Sequence, residues 1–285
     1  MNNLNAFIEN AIKEDVGNGD HTSLACIPAK ALGRAHLLVK EPGIISGTEL
    51  AKAIAKKTDT KLKLSVFITD GSKVQPGDIV FTLKGPSRSI LKAERLILNC
   101  MQRMSGVATK TNQLVQLCRG TKAKVIDTRK TTPGFRSMEK WAVKTGGGAN
   151  HRFGLYDMIL IKDNHIDYAG SIQKALEAVS NYKSKHPSLK KLKVEIEARN
   201  LKEVEQILNT GSKDRITINR IMLDNFSIPN LKKALKLING KYETEASGGI
   251  TETNIRSYAL CGVDFISIGA LTHSVKSLDL SLKAY

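Results

Sequence analysis

Apolar and polar positions in the second half of this 285-residue chain follow a repeating strand-and-helix pattern. Short apolar runs, such as residues 158–161, end in polar clusters, and stretches of helical periodicity, such as residues 201–208, lie between most of them. The clusters are Asp127-Thr128-Arg129-Lys130, Lys162-Asp163-Asn164-His165, Glu195-Ile196-Glu197, Asp224-Asn225, Glu245-Ala246-Ser247-Gly248-Gly249 and Gly269-Ala270. The repeat predicts a parallel β/α barrel with its active site at the carboxyl ends of the strands.

The first third of the chain has a different pattern. Strand-like stretches near residues 36–40, 62–68 and 79–83 alternate with helical periodicity, which predicts an α+β region. A long helical pattern follows over residues 89–118. We place the change of domain inside or just after this helix, near residues 105–115.

The formal net charge of +17 favours anionic partners. Most lysines are spread along the chain, which is typical of a solvated basic surface. Aromatic residues make up only 5% of the chain, and the basic stretches contain no stacking motif. The composition therefore disfavours nucleic-acid binding and leaves a small polyanionic substrate as the main expectation.

Cysteine spacing and hydropathy place the chain among cytoplasmic proteins. The four cysteines are scattered without paired spacing, so neither a zinc site nor a disulfide framework is predicted. No run approaches the ~20 apolar residues that a membrane span requires, and the first residues lack the pattern of a signal peptide. We expect reduced thiols, a cytoplasmic location and no membrane attachment.

Three segments place cations where a barrel active site is expected. Arg129 offers a planar fork to a carboxylate or phosphate, and Lys130 offers a compact point charge. The glycines at residues 146–148 allow close backbone approach of a ligand, and Arg152 follows them. Lys162 ends an apolar strand, where it is either an anion-binding charge or the Schiff-base nucleophile of an aldolase. The surrounding cations favour anion binding.

Acidic and glycine-rich strand ends complete the pattern. Glu197 and Asp224 end separate strands, and two carboxylates beside phosphate-binding groups are what Mg²⁺ bridging a pyrophosphate requires. Alternation points Glu195 the same way as Glu197, so the sequence leaves the choice between them open. Residues 247–249 and 269–271 are typical of the barrel phosphate site, because glycine N–H groups reach phosphate oxygens without an intervening side chain.

Taken in order over nearly the whole chain, the motifs resemble the quinolinate phosphoribosyltransferase family. They are Glu14-Asp15 to Thr22, Glu94-Arg95-Leu96-Ile97-Leu98-Asn99, Ser105-Gly106, Asp127-Thr128-Arg129-Lys130-Thr131, Gly146-Gly147-Gly148, His151-Arg152, Lys162-Asp163-Asn164-His165, Glu195-Ile196-Glu197, Leu223-Asp224-Asn225-Phe226, Glu245-Ala246-Ser247-Gly248-Gly249 and Gly269-Ala270-Leu271-Thr272-His273-Ser274. The resemblance implies an N-terminal α+β sandwich domain over residues 1–108 and an incomplete (β/α) barrel catalytic domain over residues 109–274. The tail, residues 275–285, is expected to pack on the first domain.

The resemblance also implies an activity. Phosphoribosyl transfer from 5-phosphoribosyl-1-pyrophosphate (PRPP) to quinolinate, with decarboxylation, would give nicotinate mononucleotide, pyrophosphate and CO₂ for NAD biosynthesis. The expected cofactor is Mg²⁺, held by Glu197 and Asp224, and the expected assembly is a homodimer in which Arg95 reaches the partner subunit's site.

The site residues that the resemblance implies fall into three groups. Arg129, Lys130, His151, Arg152 and Lys162 would surround the quinolinate dicarboxylate, with Thr128 beside them. Ser247, Gly248, Gly249, Gly269, Ala270 and Leu271 would hold the 5-phosphate, with His273 nearby. Arg129, Lys130, Lys162, Glu197 and Asp224 would be catalytic.

Three rival readings lead to different measurements. Nicotinate phosphoribosyltransferase takes a monocarboxylate and should need fewer cations around the ring. A lysine-dependent aldolase would use Lys162 and act without PRPP. A basic nucleic-acid-binding protein would show steeply salt-dependent binding, although Glu197 and Asp224 would then face a polyanion.

Overall fold

The computed structural model describes residues 2–213 and 217–285, which form eleven helices and twelve strands. The helices are α1 (Asn2–Val16), α2 (His21–Cys26), α3 (Thr48–Thr58), α4 (Ser87–Leu117), α5 (Arg136–Thr145), α6 (Asp163–Ala169), α7 (Ile172–Lys185), α8 (Leu201–Lys213), α9 (Ile228–Ile238), α10 (Ile255–Leu260) and α11 (Ala270–His273), with a 3-10 turn at Pro187–Leu189. The strands are β1 (Leu32–Val39), β2 (Gly43–Ile44), β3 (Lys63–Val66), β4 (Lys73–Val74), β5 (Ile79–Pro86), β6 (Lys124–Ile126), β7 (Ile159–Ile161), β8 (Val194–Ala198), β9 (Arg220–Asp224), β10 (Glu243–Ser247), β11 (Phe265–Ser267) and β12 (Leu280–Ala284). None of the helices described here is both long and apolar enough to cross a membrane.

The chain divides into two compact units. The first comprises Met1–Asn112, Thr131–Gly147 and Ala270–Tyr285, and the second comprises Gln113–Lys130 and Gly148–Gly269.

The first unit is built on an antiparallel sheet of order β12-β1-β5-β3. Alternate residues of β1 are buried, including Leu37 and Val39, because side chains on a strand point to opposite faces. In the C-terminal strand β12, Leu282 pairs with Leu37. The C-terminal segment therefore completes the N-terminal sheet.

The second unit is built on a parallel sheet of order β6-β11-β10-β9-β8-β7. Every residue of β8 is buried, as expected for a parallel strand covered on both faces. Among the described residues no strand pairing joins β6 to β7, so the sheet stays open. The predicted α/β fold, an incomplete barrel with a separate N-terminal α+β unit, is confirmed.

Strand register aligns the polar strand ends of the second unit. Ile161 pairs with Ile196, Ser247 pairs with Asp224, and Ser267 pairs with Ile126. Because the strands are parallel, their carboxyl ends meet at one edge of the sheet. The polar clusters of the sequence therefore share that edge.

Candidate active site

Arg152 is a buried cation in the second unit. The residue is 8% exposed, and its Nη1 donates to the backbone oxygen of Met158 at 3.2 Å. Burial and the charge of nearby Arg129 lower the pKa of Arg152, whereas Glu195 and Asp157 raise it. The chain thus brings two guanidinium groups close enough to repel each other, an arrangement that a bound anion would relieve.

Arg129 and Lys130 follow β6 at the shared edge, and both are exposed. The hydroxyl of Thr128 accepts from the backbone N–H of Lys130 at 3.0 Å, which folds this strand end into a tight turn. The turn therefore presents both cations on the side where β6 ends.

Lys162 follows β7 and is also exposed. Its backbone N–H donates to Nδ1 of His165 at 2.9 Å, so the imidazole fixes the start of α6. The ammonium charge of Lys162 lowers the pKa of Glu197 against the larger effects that raise it. Lys162 is therefore a neighbour of the carboxylates at the strand edge.

Glu197 is the acidic residue at this edge whose protonation is most perturbed. Burial, followed by the nearby charges of Asp224 and Asp163, raises the pKa of Glu197 to about 7. Oxygen donors held together against their own repulsion are the groups that Mg²⁺ prefers. The residues present therefore fit the cation that the sequence analysis expects, with Glu197 and Asp224 as its carboxylates.

The phosphate-binding segment has the backbone shape that glycine permits. Gly248 and Gly249 have φ of +85° and +60°. A side chain at Gly248 would collide with Asn225, whose N–H donates to the backbone oxygen of Ser247 at 2.8 Å. Gly249 has no atom within 4 Å of the position that a Cβ would take. Gly249 thus faces open space where a phosphate can approach the backbone.

These two glycines give a matched pair of substitutions. Gly249→Ala should raise the KM for PRPP about tenfold, because its methyl group fills the open space, while the left-handed backbone costs only ~1–2 kcal/mol of stability. Gly248→Ala should lower the melting temperature more, because it displaces Asn225. Steady-state kinetics and thermal unfolding of both variants check this. If both variants changed the KM for PRPP and the melting temperature to the same extent, the role of Gly249 in phosphate binding would be contradicted.

A second group of charged side chains lies on the same face of the sheet, farther from the carboxyl edge. Register places Glu195 and Glu243 beside Arg220, and Asp224 and Ser247 lie nearer the carboxyl edge. By strand alternation, Glu195 is an alternative to Glu197. Glu195 pairs with Arg220, farther from the carboxyl edge, whereas the charges of Asp224 and Lys162 act on Glu197.

Sequence reasoning missed Arg220 and Glu245 as members of this buried cluster. Nη1 of Arg220 donates to Oε2 of Glu245 at 2.8 Å, and its guanidinium lies 3.7 Å over the ring of Phe265. Burial, and then the charge of Glu195, raises the pKa of Glu245 to about 7. For Glu245 the available signal was Glu243, two positions earlier on the same strand, because such residues face the same side.

His151 is buried against this cluster rather than exposed at the strand edge. It is 8% exposed, and its Nε2 lies 3.1 Å from Oε2 of Glu195 and 3.4 Å from Oε2 of Glu245. A direct contact with quinolinate stays a prediction.

The other predicted residues are divided between the two units. Gly269 follows β11 in the second unit, whereas Arg95, Ala270, Leu271 and His273 belong to the first. There Arg95 is exposed on α4, Leu271 is fully buried, and Nδ1 of exposed His273 lies 2.6 Å from the hydroxyl oxygen of Ser274. Within the second unit, the structure brings together the edge residues of β6 to β11 and the loop that carries Arg152.

Comparison with known proteins assigns the chain to a family. Residues 20–105 match the family model "Quinolinate phosphoribosyl transferase, N-terminal domain", and residues 107–283 match that of the C-terminal domain. The chain belongs to the quinolinate phosphoribosyl transferase family. The resemblance drawn from the sequence motifs is therefore confirmed.

Relatives of this family match over nearly the whole chain. The chain is 45% identical to the chloroplastic nicotinate-nucleotide pyrophosphorylase [carboxylating] of Arabidopsis thaliana, over 98% of this chain and 82% of the relative. It is 44% identical, with the same coverage, to the mitochondrial quinolinate phosphoribosyltransferase [decarboxylating] 2b of Nicotiana tabacum. The solved nicotinate-nucleotide pyrophosphorylase of Francisella tularensis superposes with a TM-score of 0.90 at 38% identity, covering 100% of this chain and 96% of that one.

Proposed function

We propose that this family member transfers a phosphoribosyl group from PRPP to quinolinate with decarboxylation, forming nicotinate mononucleotide, pyrophosphate and CO₂ in NAD biosynthesis. The observation that carries the proposal is the set of residues at the carboxyl edge of the parallel sheet. Arg129 and buried Arg152 lie close together there. Glu197, Asp224 and the glycines at residues 248–249 lie at the ends of neighbouring strands. Both substrates are polyanions, so the cations complement their charge and the backbone N–H groups near Gly249 can bind a phosphate.

The first step needs positioning rather than a protein nucleophile. The ring nitrogen of quinolinate attacks C1 of the ribose, and the bond from C1 to the pyrophosphate oxygen breaks with its electron pair leaving on pyrophosphate. Arg129, Lys130, Arg152 and Lys162 would hold the two carboxylates, while backbone N–H groups near Gly249 would hold the 5-phosphate. Fixed groups of this kind lower the barrier by orientation and by stabilising developing charge.

Decarboxylation follows from the charge of the alkylated ring. Loss of the 2-carboxylate as CO₂ leaves an electron pair on C2, next to the cationic nitrogen, and protonation of C2 completes the product. The cationic ring stabilises that carbanion without a side chain of special pKa. We propose that the arginines hold this carboxylate and exclude water from it.

We propose Mg²⁺ as the cofactor, held by Glu197 and Asp224. When bound, it neutralises the charge that develops on the departing pyrophosphate. The raised pKa of Glu197 and its acidic neighbours support this assignment.

One assay tests the function directly. Purified protein with PRPP and Mg²⁺ is given either quinolinate labelled in its 2-carboxylate or nicotinate. We expect labelled CO₂ and nicotinate mononucleotide from quinolinate, and little product from nicotinate. Product from nicotinate alone would assign the nicotinate reaction instead, and turnover without PRPP would favour Schiff-base chemistry at Lys162.

We also propose a homodimer in which Arg95 enters the partner's site. Exposed Arg95 on α4 supports this, since no acidic partner holds it among the described residues. Mixing the inactive variants Arg95→Ala and Arg152→Ala should restore about a quarter of wild-type activity, because half of the random dimers have one intact site. Unrestored activity after subunit exchange, verified by native mass spectrometry, contradicts a shared site.

We propose a cytoplasmic location on the sequence pattern alone. The plant relatives carry chloroplastic or mitochondrial designations in their names. Fluorescence of a fusion protein in the source cell, compared with organelle markers, distinguishes these locations.

A further inference from the structure

Arg103, on α4, joins that helix to α5 and to the segment around the end of α11, all within the first unit. Its Nε and Nη2 both donate to Oε1 of Glu139, at 3.1 and 2.8 Å. Its Nη1 donates to the backbone oxygen of Val275 at 3.0 Å, and Nη2 also donates to the backbone oxygen of Thr272. These two carbonyl groups lie on either side of His273 in the chain. One guanidinium therefore holds the backbone both before and after His273.

The short helix α11 depends on outside donors at its C-terminal end. It comprises only the four residues Ala270–His273, and the last carbonyl groups of a helix have no partner within the helix. A cationic side chain near a helix C-terminus can donate to such carbonyls. The guanidinium carries five N–H donors in a planar fork, so one arginine can reach two carbonyl groups and a carboxylate. Arg103 thus supplies donors that a lysine could not supply together.

Glu139 fixes the orientation of this guanidinium. The residue is fully buried, and its Oε1 also accepts from the hydroxyl of Thr132 at 2.8 Å. Its Oε2 accepts from the backbone N–H of Thr132 at 3.0 Å. A buried ion pair is rigid when hydrogen bonds satisfy its remaining lone pairs, and removal of one partner leaves a costly buried charge. The pair is therefore a fixed support for the backbone around His273.

A purely structural role is the alternative, and the neighbouring residue of α4 has such a role. Nε2 of Gln102 donates to the backbone oxygen of Leu280 at 2.9 Å, and its backbone oxygen accepts from the N–H of Leu278 at 3.0 Å. These bonds fasten the chain farther along, at the entrance to β12. Arg103 differs from Gln102 because its two carbonyl partners directly flank His273.

We propose that Arg103 is a positioning residue for PRPP: ion-paired with Glu139, it holds the carbonyl groups on both sides of His273 and so presents the imidazole to the 5-phosphate before the substrate arrives. A group already held in its bound position loses less conformational entropy on binding. The proposal rests on the proposed function, in which His273 lies near the 5-phosphate. Arg103 acts through His273 and does not itself touch the substrate.

Arg103→Lys separates positioning from stability. Lysine keeps a positive charge beside Glu139 but lacks the fork that reaches both carbonyl groups. The KM for PRPP should rise about tenfold, while the KM for quinolinate changes little. The melting temperature should fall less than in Arg103→Met, which leaves Glu139 buried without a cation. A wild-type KM for PRPP in Arg103→Lys would overturn the proposal.

Gln102→Met is the matched control. It removes a hydrogen bond between α4 and the same C-terminal segment, one residue away from Arg103. Its melting temperature should fall, but its KM for PRPP should stay at the wild-type value. A similar rise in the KM for PRPP in this variant would show that any loosening of the segment is enough, and it would overturn a specific role of Arg103.

A double-mutant cycle tests whether the effect passes through His273. In a His273→Ala background, adding Arg103→Lys should lower kcat/KM for PRPP by less than about twofold. A further tenfold loss would overturn the proposal, because Arg103 would then act by another route. Turnover of PRPP and quinolinate by the wild type is measured first, so a failure of the proposed function is seen separately.

Binding of inorganic phosphate gives a readout that does not depend on turnover. The imidazole signals of histidine-labelled protein are followed by NMR during the titration, and His273→Ala identifies the signal of His273. This signal should shift with the same Kd in wild type and Gln102→Met, and with a Kd about tenfold higher in Arg103→Lys. An equal Kd in all three proteins, or no shift of the His273 signal in wild type, would overturn the proposal.

Discussion

Replacing Arg152 by alanine should lower kcat/KM for quinolinate by about 10²–10³, because truncating a desolvated, hydrogen-bonded charge typically costs ~2–5 kcal/mol. The guanidinium is buried, and Met158 fixes one of its nitrogens. A planar fork matches a carboxylate with two parallel hydrogen bonds, so Arg152→Lys should restore only part of the loss. The KM for quinolinate should rise and kcat should fall, while the KM for PRPP changes little.

Two further variants compare this effect with the loss of a cation at the site and of a cation elsewhere. Lys162→Ala should act in the same direction but more weakly, since Lys162 is exposed and solvent screens its charge. Lys236→Ala removes the same charge from the exposed side of α9 and should leave the kinetics at wild-type values. Unchanged kinetics in both Arg152→Ala and Lys162→Ala would remove these residues from the quinolinate site.

The residues at the carboxyl edge of the parallel sheet could be predicted from the sequence, because two simple rules locate them. An apolar run with β character predicts a strand, and the carboxyl ends of parallel strands meet. Lys162 and Asp224 each follow or end such a run, and the structure places both near Glu197. The family motifs then supplied the order of the clusters, which single spacings do not specify.

The buried cluster of Glu195, Arg220 and Glu245 could not be predicted from the sequence in the same way. Register decides whether Glu195 lies beside Arg220 or one level away, and sequence alternation gives only the face of the strand. Arg220 precedes an apolar run, where it reads as an ordinary strand-start cation. The loop carrying His151 contains a glycine triplet, so local pattern predicts flexibility rather than the hydrogen bond to Asp127 that fixes it.

The second large effect concerns Glu197 and the expected Mg²⁺. The fold raises the pKa of Glu197 to about 7 from the ordinary value of 4.5, so it favours the protonated acid. Without a cation, the stability that this group contributes is present below pH 4.5, declines as the unfolded chain ionises, and is fully lost above pH 7. A cation bound at Glu197 and Asp224 reverses this preference, because it requires the ionised carboxylate.

Affinity for PRPP in the presence of Mg²⁺ should therefore fall as the pH is lowered through the pKa of Glu197. Below pH 7, protons compete with the cation, and the competition costs about tenfold per pH unit. Glu197→Gln should weaken Mg²⁺-dependent PRPP binding by about 10–100-fold at pH 8 and remove this part of the pH dependence. Calorimetric titrations at pH 6, 7 and 8, with and without Mg²⁺, measure both effects.

The comparison between variants isolates Glu197 from the substrate's own ionisation. PRPP phosphates also titrate in this range, but they do so equally for wild type and Glu197→Gln. Glu205→Gln makes the same change at an exposed position of α8 and should behave as wild type. If wild type and Glu197→Gln lose affinity in parallel from pH 8 to pH 6, Glu197 does not hold the cation. Asp224, whose carboxylate lies at the same strand edge, would then be left without the partner proposed for it.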